Sequence, residues 1–594
     1  MTANAFAVCF AIVAGVVFAG ESLQPTGCNF MFQYWEDDWW KTVSIYHLYV
    51  RSFRDSDNSG SGDLRGVTEK IQYLKETGFG AICLSPICVS PDEDFGYDIS
   101  DFLAVSPEVG TMEDFEELLR VAHGNGIRVI MDFIPNHSSD KHEWFAKSVD
   151  RVPGYEDFYV WKDPAGFDVD GRPIPPNNWL SVFYGSGWTY NEKRKQFYLH
   201  QFGVFQPDLN FRNPKVVDAM NNVLRFWLRK GVDGFRIDAI PYLYEDSHFR
   251  NENLTYEPGN DPNVFEYLNH SLTMNLPETY EMVEQWRALV EEESRKDNVQ
   301  RILIVEAFAT IEETVRYFGT KERPGAHFPY NYNIMQKVDM KLAAQDFKRR
   351  IDSWFNHMPH FGVANWVTGV HDQHRIGNKL GPDIIDGMNM ISLLLPGVSV
   401  TYYGEEIGML DNEDITYEET IDPQGRNFPK SKFKERARDF ERTPFQWDDS
   451  VNAGFNNGSK PWLPVNKNYR TLNLEAQKLQ PYSHYTFFTD LMRLRRSNAV
   501  RKGTMMIRLL GQGSLGFIRG SGSEDFVIAI LNFSNVTDTI DVSYEFLVRK
   551  ERLYVFATDP NSGYAKGSRI RRGVVNLQGR SCIVLTSKDR DRYR

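Results

Sequence analysis

Seven residues from the middle of the chain carry side chains that could work on a substrate together: Asp132, His137, Arg236, Asp238, Glu306, His371 and Asp372. They fall in or just after short apolar runs, IRVIMDF (127–133), GFRIDAI (234–240), RILIVEA (301–307) and ANWVTGVHD (364–372). A buried charge is costly unless it is paired, hydrogen-bonded or in use. One such residue is readily a satisfied core group, and Arg236–Asp238 alone reads equally well as a structural ion pair. Four runs that each deliver an acid or an imidazole to one rim concentrate like charge, which function requires and stability does not. No GxSxG elbow and no Cys–His cluster accompanies them, so a serine or cysteine nucleophile is a poor fit. Carboxylates gathered without such a nucleophile suggest cleavage of a glycosidic bond. That reaction pairs an ionised nucleophile with a protonated acid, about 5–5.5 Å apart when configuration is retained. Arg236 lies two residues before Asp238 and on the same strand face, so it should hold Asp238 ionised. Glu306, in the apolar stretch ILIVEAF, should have a raised pKa, as an acid needs.

Such residues meet only if the runs are neighbouring strands. Strand-like stretches alternate with helical ones: TVSIYHLYVRSF (42–53), a helix over 67–78, AICLSP (81–86), a helix over 112–126, then 127–133. A helix over 215–231 precedes 234–240, and further strands fall at 301–307, 327–333, 364–372 and 398–406, the one at 327–333 being the weakest. Alternation of this kind makes a parallel sheet, and eight units make an α/β fold of the (β/α)8 TIM-barrel class, with its chemistry at the C-terminal strand ends. Residues 138–210, rich in Trp, Tyr, Asn, Gly and Pro, read as a subdomain inserted after strand three. Short strands with Gly and Asn turns close the chain as an antiparallel β-sandwich. The expected division is a signal over 1–19, barrel over 35–137 and 211–505, insertion over 138–210, and sandwich over 506–594.

The 594 residues carry 67 Lys+Arg against 80 Asp+Glu, a net −13, which argues against nucleic acid as a partner. Residues 3–19 are apolar, uncharged and short for a membrane span, with Val17 and Ala19 placed for cleavage. The segment reads as a secretory signal, with an uncleaved anchor, and hence membrane association, as the alternative. Of five cysteines, Cys9 would leave with the signal; Cys83 and Cys88 could form a bridge or be two small buried thiols. Sequons at Asn253, Asn269, Asn457, Asn532 and Asn535 are compatible with a secreted glycoprotein, whereas Asn136 falls in the site.

FIPNH (133–137), GFRIDAI (234–240), VEAF (305–308) and VHDQHR (370–375) resemble the four signature regions of the α-amylase superfamily, glycoside hydrolase family 13. QPDLN (206–210), GVSVTYYGEEIGM (397–409) and RTPFQW (442–447) resemble blocks of its oligo-1,6-glucosidase-like branch, nearest to insect secreted maltases and sucrose-hydrolysing α-glucosidases. The resemblance runs over about residues 40–590. It implies Asp238 as nucleophile, Glu306 as general acid/base and Asp372 as the carboxylate gripping the sugar's 2- and 3-hydroxyls. It further implies that Arg236, His137, His371, Asp94, Tyr97 and Arg442 contact the terminal glucose.

The loop DSDNSGSGD (55–63) presents oxygens at alternate positions, as a hard cation requires. The resemblance assigns Ca²⁺ or Mg²⁺ to Asp55, Asp57, Ser59, the Ser61 carbonyl and Asp63, with Ser59 replacing a stronger ligand; a turn with no ion is the plain alternative. Val50 and His374 stand where proline is usual, and Val370 where asparagine is usual. Ala239 matches a position where valine accompanies α-1,6 preference, which points to α-1,4 linkages or sucrose. The expected activity is exo-acting, retaining α-glucoside hydrolysis of small neutral sugars: sucrose, maltose and short malto-oligosaccharides. The competing class is a non-enzymatic surface receptor or transporter heavy chain on the same fold.

Overall fold

The computed structural model describes residues 29–30, 38–255, 261–335, 343–520, 525–549 and 553–593. The expected signal, with Cys9, and Cys28 lie outside the described residues.

Eight parallel strands follow in chain order: β1 Ser44–Leu48, β2 Ala81–Leu84, β3 Arg128–Phe133, β4 Gly234–Ile237, β5 Ile302–Val305, β6 Phe328–Pro329, β7 Asn365–Val367 and β8 Val398–Tyr402. Consecutive strands pair from β1 to β6 and from β7 to β8, and β8 pairs back onto β1. The seam between β6 and β7 is closed by side chains. Pro329 has no N–H to continue a ladder. Asn331 N donates to Asn365 Oδ1 at 2.8 Å, Asn331 Nδ2 to Asn365 O at 3.1 Å, and Asn365 Nδ2 to Pro329 O at 2.7 Å. Proline at the second of two strand residues is why 327–333 carries so weak a strand signal.

Helices follow the strands and cover the sheet's outer face: α1 Ile71–Thr77, α2 Met112–Gly124, α3 Pro214–Lys230, α4 Pro277–Asp297, α5 Ile311–Arg316, α6 Ala344–His357, α7 Ile385–Leu394 and α8 His484–Arg495. α2 shows the local logic. Thr111 and Asp114 form a reciprocal capping box, and Phe115, Leu118, Leu119 and Ala122 make the buried stripe. α3 starts on the Asn213 cap with Pro214 in its first turn and stops at Gly231, whose φ of 109° suits a residue without Cβ.

The first strand ends earlier than the sequence pattern suggests, at Leu48, and Val50–Phe53 forms a helical turn. There Val50 N donates to Ser85 Oγ at 3.0 Å, a bond that proline could not make. Between β3 and β4, Trp161–Lys162, Trp188–Asn191 and Gln196–Leu199 form a small antiparallel sheet around Val160, Trp179 and Trp188. After α8, an antiparallel sheet is built from Thr504–Leu510, Ser514–Gly520, Phe526–Asn532, Cys582–Thr586 and Tyr554–Thr558, with residues 29–30 added at its edge. A hairpin-like pair, Asp538–Asp541 with Val574–Leu577, packs on it through a separate apolar core. The molecule is a (β/α)8 barrel with a C-terminal antiparallel β domain.

Cys83 and Cys88 are separate buried thiols rather than a bridge; Cys83 lies within β2, and Cys88 points its sulfur at Phe102 O. Asn253, Asn269, Asn457 and Asn535 are exposed, but Asn532 is buried. Its Nδ2 is engaged by the carbonyls of Val536, Leu577 and Gln578, so it is no glycan acceptor. Among the described residues no helix is long and apolar enough to cross a membrane.

Candidate active site

The register of β3, β4 and β5 sets the centre. Asp132, Arg236 and Ile304 stand level across the three strands. Two residues on, the same register brings Asp238 level with Glu306, where Asp238 N donates to Phe133 O and Glu306 N to Ile237 O. Neighbouring strands run about 4.8 Å apart, and residues two apart share a face, so both acids rise side by side above Arg236.

Arg236 is wholly buried and serves three acids. Its Nη1 donates to Asp132 Oδ1 at 2.7 Å and to Asp238 Oδ1 at 3.0 Å, while Nη2 contacts Glu306 Oε2. Asp238 and Glu306 also come within hydrogen-bonding reach of each other. The expectation that Arg236 simply keeps Asp238 ionised is therefore corrected. Burial raises the Asp238 carboxyl well above the usual range, Arg236 pulls it down, and Glu306 and Asp132 push it up again. One guanidinium is divided among three carboxylates, so its charge is not Asp238's alone. Asp132 is raised to about 6 by burial against the pull of Arg236. Tyr332 donates to Glu306 Oε1 and fixes that carboxyl from the loop after β6.

Asp372 follows β7 and is the most open of the acids, its side chain 22% exposed. Arg442 Nη2 reaches its Oδ1 at 2.7 Å and Arg438 Nη1 at 3.2 Å, and His371 Nε2 lies 3.2 Å from Oδ2. Burial opposes its charge, but the His371 ring beside it and the fixed charges of Arg442 and Arg438 outweigh it and hold the carboxyl far below the usual range, the arginines doing so even with the imidazole neutral. Tyr97 stacks on His371 at 5.2 Å and its hydroxyl lies 2.7 Å from His371 Nε2 and 3.0 Å from Asp132 Oδ2. His137, lowered to about 4 by burial, sits 2.9 Å from Tyr97 O. Asp94 is bound by Arg438 at 2.7 Å and by Gln206 Nε2 at 3.1 Å. Asp94, Tyr97, His137, Arg236, Asp238, Glu306, His371, Asp372 and Arg442 thus form one connected network. Asn136 lies within it, donating toward Asp208 at 3.3 Å.

Two expected specificity residues sit differently. Ala239 holds a left-handed backbone, φ 51°, directly after Asp238, where a side chain is strained. Val370 is fully buried, directly before His371. Sequence reasoning missed three residues. Arg438 binds Asp94, Asp372 and Asp422 at once, Tyr332 orients Glu306, and Gln206 spans Asp94 and His137. Gln206 could have been found, since it opens the QPDLN motif; Arg438 lies in an irregular loop with no periodic signal.

The loop of Asp55, Asp57 and Asp63 lies apart from these residues. The three carboxylates converge, with oxygens within 4.8 Å of one another, and Ser61 Oγ is buried with no partner. Asp55 already accepts from Asn58 N, Ser59 N, Gly60 N and Asn456 Nδ2, and Ser59 Oγ turns to Ser61 O. The residues fit a weakly held hard cation, which has to share its ligands with these donors.

Residues 47–503 match the alpha amylase catalytic domain family. Maltase 1 of Drosophila virilis is 44% identical over 555 residues, covering 93% of this chain and 87% of that protein. The salivary alpha-glucosidase of Anopheles gambiae is 43% identical over 553 residues, 92% of this chain and 93% of its own length. Among solved structures, the alpha-glucosyl transfer enzyme XgtA superposes with a TM-score of 0.81 at 31% identity, covering 93% of this chain and 100% of that one. This chain belongs to the alpha-amylase family and is a glycoside hydrolase of the α-glucosidase type.

Proposed function

We propose that the chain is an exo-acting, retaining α-glucosidase that removes the terminal glucose of sucrose, maltose and short malto-oligosaccharides. The observation that carries this reading is the level pairing of Asp238 and Glu306 over a shared Arg236. In the productive state the pair holds one proton, on Glu306. Glu306 gives it to the glycosidic oxygen as the bond to C1 breaks, and the Asp238 carboxylate attacks C1 to form a glucosyl ester. Glu306, now ionised, takes a proton from water, which attacks C1 and frees Asp238. Two inversions leave the released glucose in the α configuration. Asp372, ionised throughout, holds the 2- and 3-hydroxyls, and neutral His137 and His371 exchange hydrogen bonds with the sugar. A second sugar in place of water would give transglycosylation.

The exo character rests on how the site is walled. Arg438 ties the loop after β2 to the loop after β7 through Asp94 and Asp372. Phe183 and Phe202, from the stretch between β3 and β4, lie against Arg438 and His137. A pocket closed there favours short sugars over a polymer. In the loop of residues 55–63, Asp55, Asp57, Asp63 and the Ser61 carbonyl would hold Ca²⁺ as a structural ion, with Ser59 a poor fifth ligand. The apolar N-terminus and a salivary relative support secretion.

Initial rates on sucrose, maltose, isomaltose and trehalose, with Asp238→Asn and Glu306→Gln as controls, test the reading together with NMR of the first glucose released. α-Glucose from the wild type and loss of turnover in both variants are expected. β-Glucose, or wild-type rates in either variant, would refute it.

A further inference from the structure

Two residues beyond Asp372, His374 occupies a position where proline is usual, and its imidazole points into a cluster the hydrolytic reaction does not use. Nδ1 lies 2.7 Å from Asp411 Oδ2 and 3.7 Å from Glu441 Oε2. Ligand atoms of all three residues lie within 4.8 Å of one another. Phe440 backs the ring, its centroid 6.0 Å away. Arg375 N donates to Asp411 Oδ1 at 2.9 Å, which fixes that carboxylate and leaves its other oxygen for the cluster. Glu441 supplies an independent sign. Its side chain is 2% exposed, and Oε2 has no hydrogen-bond partner although it faces His374. A buried carboxylate oxygen without a donor is costly. A surface cavity of about 270 Å³, lined by Asp411, Glu413, Phe440, Lys379 and Lys434 as well as His374, reaches two of the three residues, Glu441 not being part of its lining.

An ion with bonds of about 2.0–2.1 Å in tetrahedral geometry needs donor atoms about 3.3 Å apart. The separations of 2.7 and 3.7 Å straddle that value, so side-chain shifts of about half an ångström would seat one. One imidazole and two carboxylates suit zinc and its first-row neighbours, whereas calcium takes six to eight oxygens. We propose that His374, Asp411 and Glu441 form a binding site for a divalent transition-metal ion, represented by Zn²⁺, with a fourth position open to the cavity. The ion would tie the segment that carries His371 and Asp372 to the segment that carries Arg438 and Arg442.

The test is calorimetric titration of ZnCl₂ into the full chain after chelator treatment, with Asp57→Asn as the control for the other carboxylate loop. One equivalent of zinc is expected, weakened at least tenfold in His374→Ala and in the near-isosteric Glu441→Gln and unchanged in Asp57→Asn. Co²⁺ gives a second readout that needs no variant. The wild type should show the visible bands of a low-symmetry cobalt site, abolished by zinc. No zinc uptake by the wild type, or uptake unchanged in folded His374→Ala and Glu441→Gln, would leave His374–Asp411 a plain ion pair and overturn the proposal.

Discussion

Replacing Arg236 by lysine retains the charge and removes the fork. The guanidinium reaches Asp132 at 2.7 Å and Asp238 at 3.0 Å through Nη1, and Glu306 through Nη2. A lysine ammonium is a single point on a shorter stem and cannot hold all three. Two charge-assisted contacts would be lost, each worth about 1.5–3 kcal/mol, so the total is about 3–6 kcal/mol. Part of that loss falls equally on ground and transition states. With about 1.4 kcal/mol per tenfold, the whole loss would be a factor of about 10²–10⁴, so the expected fall in kcat/KM is smaller, on the order of 10–10³. The direction of the pH effect is fixed. Arg236 is the main force lowering a carboxyl that burial has raised, so weakening it sends Asp238 higher still. The ionised nucleophile then appears only at higher pH, and the acid limb of kcat/KM on maltose should move up. A structural role alone would reduce the amount of folded enzyme and leave the limb of the survivors in place. An Arg236→Lys enzyme within about threefold of wild type, or one whose acid limb stays put, would refute the reasoning.

Other perturbations separate the remaining roles. Asp372→Asn should lower kcat by about 10²–10³ without moving the acid limb, because Arg442 and Arg438 keep this carboxyl ionised over the whole working range; a pH profile checks it. Ala239→Val should raise the isomaltose-to-maltose rate ratio and also lower Tm, since a β-branched residue at φ 51° costs about 1–3 kcal/mol. No gain in the ratio would count against the specificity argument. Chelation should leave most activity and lower Tm by only a few degrees, because four protein donors already hold Asp55; calorimetry with and without added Ca²⁺ measures it.

What was legible in the sequence depended on contrast. Arg236, Asp238, Glu306 and Asp372 could be read because each interrupts or ends an apolar run, and the same runs spelled out the strands that carry them. Spacing along one strand placed Arg236 and Asp238 on a common face. It could not show that Glu306 stands beside Asp238, because that depends on the register between β4 and β5. The electrostatic expectation failed for the same reason: a guanidinium imagined as one acid's partner is shared by three.

Arg438 shows where such reading runs out. Its partners, Asp94, Asp422 and Asp372, are 344, 16 and 66 residues away in the chain. Its own segment, KERARDFERT, looks like a solvated charged loop. Only the barrel, by returning β8 to β1, brings the loops after β2, β7 and β8 to one rim and buries that charge among acids. The same geometry explains why sugar binding and loop order should be coupled here. Asp94 and Asp372, the acids proposed to grip the sugar, are held by arginines from an irregular segment: a change that frees Arg438 loosens both, and one that frees Arg442 loosens Asp372 alone. A reader of the sequence would place the catalytic pair on rigid strands and stop. The structure adds that Asp94 and Asp372 depend on loop-to-loop ion pairs, and loops differ more than strands between related enzymes.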